Sequence, residues 1–127
     1  MDHMEKAREL RASTEVHYNC AQSLLVTFAK EMGLTEQQAY DLGSHFGSGM
    51  RHGSTCGALT SALMVLGMTG HDGKDATALM AQMRENHGAL DCATLLKTSK
   101  ERGEAKKDHC DGLVFEMVSV LDTITKP

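Results

Sequence analysis

Four cysteines, Cys20, Cys56, Cys92 and Cys110, are spread along a chain of 127 residues. Cys20, Cys56 and Cys92 directly follow Asn19, Thr55 and Asp91, and Cys110 comes two residues after Asp108. Each of these polar residues favours the position before a helix, so the spacing predicts one thiol in or near the first turn of each of four helices. There the unpaired amides and the positive end of the helix dipole favour a thiolate, the form that attacks, oxidises or binds metal. Four such helix starts meeting at one place would make a redox or metal centre. Plain packing is the competing expectation, because free cysteine is among the most buried residue types, and Cys110 heads an apolar stripe. No C-x-x-C occurs, so neither a thioredoxin-type pair nor the paired spacing of a zinc ribbon is present.

Other side chains could take part. His52 stands four residues before Cys56 in the glycine-rich turn 47–55, and His109 adjoins Cys110. Either could be a metal ligand, a base or a hydrogen-bond partner to a bound sulfur; an exposed or capping histidine is the alternative for each. His17 and His45 fall near predicted helix ends. Arg51, beside His52, could set a cation next to a thiolate or an anionic ligand. The turn resembles an anion-binding nest but fits neither the phosphate-loop nor the dinucleotide pattern, so no nucleotide site is expected. The nine methionines fall mostly at helical apolar positions and read as core rather than a copper site. No Ser/His/Asp order and no carboxylate pair suggests hydrolysis.

The elements that must position these residues are helical. Ala21, Leu24, Leu25, Phe28, Ala29 and Met32 form one helix face, with Asn19 to cap its start and Gly33 to end it. Thr35 with Gln38 is a capping-box signature for a further helix. Residues 56–68 are apolar or small nearly all round, as in a buried central helix. Further stripes run through Leu79, Met80 and Met83 to Gly88, then from Asp91 through Leu95, and from Cys110 to Leu121. The expectation is a single all-α domain, 1–127, a bundle of about five to seven helices around the central one. The segment around Lys106 and Lys107 reads as a solvated connection, and Met1-Asp2-His3 is assigned no function.

Composition narrows the classes. Hydrophobic residues make up 41% and charged residues 24%, an ordinary globular balance, and the net charge is −4. No basic patch for nucleic acid stands out. No apolar run is long enough to insert in a membrane, and the charged start lacks a signal core. The expected setting is therefore cytoplasmic, where thiols stay reduced.

Asn19-Cys20-Ala21-Gln22, then Phe46-Gly47-Ser48-Gly49-Met50, then Cys56-Gly57-Ala58 with Ala62-Leu63-Met64-Val65-Leu66-Gly67 resemble the redox-active proteins named for the pattern C-GCAxxG-C-C. These are small helical proteins with four characteristic cysteines; related domains occur with the split-Soret cytochromes, which carry an iron–sulfur centre besides haem. The resemblance covers residues 18–67 well and continues through Cys92 and Cys110. It implies that Cys20, Cys56, Cys92 and Cys110 are the family's four cysteines. Ser61 stands where the motif ends in glycine, and no C-x-x-C-H for haem is present. The resemblance implies redox chemistry without fixing a reaction. Spacing and resemblance together lead to an iron–sulfur cluster on the four cysteines, for electron transfer or sensing. The alternatives are a thiol–disulfide relay with Cys56 as attacking thiolate beside Arg51 and His52, a structural zinc site, or an inert helical interaction module. The redox partner is unidentified, and the four sulfurs could meet within one chain or across a homodimer.

Overall fold

The structure, a computed structural model, describes residues 2–125; Met1 and the single proline, Pro127, lie outside them. The helices are α1 (His3–Ala12), α2 (Cys20–Thr27), α3 (Ala29–Met32), α4 (Glu36–Gly43), α5 (Gly57–Met68), α6 (Gly73–His87), α7 (Cys92–Glu101) and α8 (Lys106–Thr125). A single π-type turn, Gly49–Gly53, separates α4 from α5. The described residues contain no strand, and the class is all-α as expected.

The helix ends follow from their residues. Asn19 accepts from the Gln22 amide while the Gln22 side chain accepts from the Asn19 amide, and Thr35 with Gln38 repeats this capping box on α4. Gly33 and Gly88 stop α3 and α6 in the left-handed conformation, at φ 73° and 78°. The helix expected over 21–32 is broken in two. Phe28 leaves the helical well at φ −103°, ψ 13°, and its ring is fully buried. That break takes the number of helices past the expected range.

The expected central helix, α5, runs through the core with Ala58, Leu59, Ala62, Val65 and Leu66 buried. A second helix is enclosed more completely: in α2 every residue from 21 to 27 is buried. It is packed by α1, α4, α5 and α8. Each large side chain it hides, such as Leu24 or Leu25, contributes about 1.5–3 kcal/mol. The long α8 closes the bundle with Leu113, Val114, Met117, Val118 and Leu121. Among the described residues no helix is long and apolar enough to cross a membrane.

The N-terminal residues are part of this packing. Asp2 caps α1, and the His3 ring lies 4.1 Å from that of Phe28. Its Nε2 reaches Glu31 of α3 at 2.7 Å and its Nδ1 reaches Asp122 of α8. Burial opposes protonation of the ring, but the two carboxylates outweigh it, and the His3 pKa lies above its ordinary 6.5. A raised folded-state pKa stabilises the fold fully below the unfolded value, and the gain fades as pH rises through the folded value. His3→Ala is therefore expected to lower the melting temperature more at about pH 5.5 than at about pH 9. An equal loss at both would mean that only the stacking on Phe28 matters.

Candidate redox site

Each cysteine is placed by a local device. Cys20 is the first residue of α2, and the side-chain Nδ2 of Asn19 before it donates to the Gly43 carbonyl at 3.1 Å, tying the start of α2 to the end of α4. Cys56 is itself the cap of α5, and Cys92 opens α7 after the Asp91 cap. An isolated antiparallel bridge, Thr55 with Asp91, joins these two helix starts. The Cys56 N–H donates to the Leu90 carbonyl at 2.9 Å and the Cys92 N–H donates to the Ser54 carbonyl at 2.6 Å. Cys110 departs from the expected placement. Its helix begins at Lys106, so the thiol sits a full turn inside α8 rather than at its start. The supposed solvated connection is short, because Gly103 turns the chain at φ 81° and the His109 amide already bonds the Ala105 carbonyl.

The four thiols face one cavity of about 120 Å³, within a single chain. All four are free. Leu95 and Leu113 give it apolar walls, Arg11 and Lys106 bring positive charge, and His17 and His109 also border it. Cys56, expected to head the buried central helix just after the glycine-rich turn, is only 4% exposed. Among the described residues no three Cys, His, Asp or Glu side chains converge closely enough to hold one metal ion.

The electrostatics reverse one expectation. Burial pushes the Cys56 thiol up to about 12, the neighbouring Cys20 thiol adds to this, and the Ala58 and Leu59 amides act in the opposite sense. Burial, then Cys20, also raises Cys92 and Cys110; Lys106 opposes both shifts and Arg11 opposes the second. Removing a thiolate from water, close to other thiols, costs more than a helix start returns. Cys20 is the thiol neighbour felt most by each of the other three.

Glycines make the convergence possible. A Cβ on Gly57 would come within 2.6 Å of the Cys20 sulfur and 2.5 Å of the Phe46 carbonyl oxygen. One on Gly47 would meet the Asn19 side chain at 2.8 Å, and one on Gly49 would meet Cys92 Cβ at 2.7 Å. Ser61, in place of the motif's last glycine, is fully buried, and its hydroxyl donates to the Gly57 carbonyl at 2.7 Å, so the exchange is absorbed.

Arg51 and His52 are exposed and do not border the cavity; Arg51 points to His45, 3.3 Å away. Their turn is left-handed at Ser48, Gly49, Met50 and Arg51 in succession, with φ from 52° to 69°. Ser48 borders the cavity, whereas Met50 stands 37% exposed. Lys106 and Arg11 border the cavity instead, and neither was singled out from sequence. Lys106 had a legible signal, four residues ahead of Cys110 on one helix face. Arg11, ninety-nine positions away from Cys110 in sequence terms and in a different helix, had none.

Gly57→Ala is expected to lower the urea midpoint by an amount worth about 1–3 kcal/mol, the cost of overpacking a rigid contact. An unchanged midpoint would show that the two helix starts can part. Met50→Gly should act the other way and raise stability by about 0.5–1 kcal/mol, since the left-handed strain it relieves exceeds glycine's entropic cost. A loss of stability would contradict the strained geometry.

Comparison with curated proteins and with solved structures finds no match. The chain belongs to the family described as "Putative redox-active protein (C_GCAxxG_C_C)", whose model matches residues 18–124 and so takes in all four cysteines.

Proposed function

We propose that this protein is an electron carrier or redox sensor whose Cys20, Cys56, Cys92 and Cys110 hold an iron–sulfur cluster in the cavity they line. One observation carries the reading: four thiols from α2, α5, α7 and α8 face a single cavity. Four thiolates are the usual ligand set of such clusters. A single zinc ion would need every sulfur about 2.3 Å from one point. A cluster would instead take each thiolate on an iron, so Cys20, Cys56, Cys92 and Cys110 would need to surround a space rather than meet at one point.

The chain's own residues would supply the rest of the environment. Leu95 and Leu113 exclude water, and Arg11 and Lys106 offset the negative charge that four thiolates bring. The close approach at Gly57 holds the Cys20 sulfur beside the start of α5. When bound, a cluster supplies the capacity to take up and release single electrons. A relay that starts from Cys56 draws no support from that position, because a buried sulfur cannot meet a partner's disulfide. A reducing compartment such as the cytosol would keep the four thiols free for the cluster.

Protein purified without oxygen is expected to be coloured and to contain iron and acid-labile sulfide, and Cys20→Ser should lose most of both. A colourless preparation lacking iron and sulfide would sink the proposal, and one zinc per chain would assign the cysteines to a structural ion instead.

A further inference from the structure

A second cavity, of about 440 Å³, adjoins the first and shares Arg11, His17, Lys106 and Cys110 with it. Lys107 adds a third cation. Such a concentration of positive side chains is notable on a chain whose net charge is −4. Asp111 accounts for two of the three: its carboxylate accepts from Arg11 Nε at 2.6 Å and from Lys107 Nζ at 2.9 Å. Lys106 has no acidic partner among the described residues. It is also the first residue of the twenty-residue α8, whose unpaired first amides and dipole favour an anion at the same end.

We propose that this vestibule binds a small molecule bearing a phosphate or several carboxylates, with its anionic end on Lys106 and its body toward the Cys110 sulfur. The shape supports a small molecule over an acidic protein segment: the space is concave and lies within the roughly 300–1,000 Å³ usual for small-molecule pockets. Arg11 and Lys107, both paired with Asp111, line the space and leave the exposed Lys106 as the cation without an acidic partner among the described residues. Leu10 and Tyr18 offer apolar surface for the rest of the ligand. The site goes beyond the cluster proposal, since Leu10, Ser13, Tyr18 and Lys107 line this space and not the one the four cysteines share.

The test is calorimetric titration of the full chain, purified without oxygen and at low ionic strength, with inorganic phosphate and separately with citrate. At least one anion is expected to saturate a single site per chain. Lys106→Gln should weaken that binding by about tenfold or more, which corresponds to about 1.4 kcal/mol. Lys30→Gln, outside both cavities, should leave it unchanged. Saturation by phosphate would assign a phosphate ester, and saturation by citrate a polycarboxylate. Failure of both anions to saturate, or undiminished binding to the Lys106→Gln protein, would overturn the proposal. Iron and sulfide measured in the same samples keep the two proposals apart: binding without iron sinks only the cluster, and iron without binding sinks only the vestibule.

Discussion

The arrangement of this protein depends on a place where a side chain is missing. At Gly57 the start of α5 lies against the Cys20 sulfur and the Phe46 carbonyl so closely that one added carbon would collide with both. Because that contact is allowed, α2 and α5 can begin side by side, and the two sulfurs nearest the core share one cavity. The Thr55–Asp91 bridge then brings α7, with Cys92, against the same point, and α8 packs across to add Cys110. Interiors are close-packed and do not deform to suit one atom, so the glycine is a geometrical condition rather than a convenience.

That convergence sets two forces against each other. Helix starts favour thiolates, whereas burial and the neighbouring thiols oppose them, and burial prevails at Cys56, Cys92 and Cys110. Cys56, Cys92 and Cys110, gathered around one cavity, are costly to ionise unless positive charge arrives among them. Arg11 and Lys106 supply some of that charge from the cavity wall. The same two cations border the wider vestibule, so one electrostatic feature serves both spaces.

Strain sits at the edge of this centre as well. Ser48, Met50 and Arg51 are non-glycine residues held left-handed in a single turn, at a cost of about 1–2 kcal/mol each. The Ser54 amide closes the turn onto the Gly49 carbonyl at 2.8 Å, and Ser54 in turn accepts from Cys92. The strained turn is thereby stitched to the segment that positions two of the four cysteines.

The sequence alone was enough for the class, most of the helices and their ends, because those depend on local rules: a 3.6-residue apolar period, the Asn19 and Thr35 capping boxes, and glycines at Gly33 and Gly88. The four cysteines, too, could be picked out by type, spacing and motif. The break at Phe28 was not legible, since the apolar stripe runs through it without interruption and the ring's burial is a tertiary fact. The start of α8 was missed because Lys106 and Lys107 lie among charged residues that suit a loop or a first helical turn equally well. Only the tertiary structure decided that the four thiols share a cavity, and that Arg11 and Lys106 rather than Arg51 and His52 border the site. Those facts rest on contacts between residues far apart in the chain and on a left-handed turn whose direction no periodicity encodes.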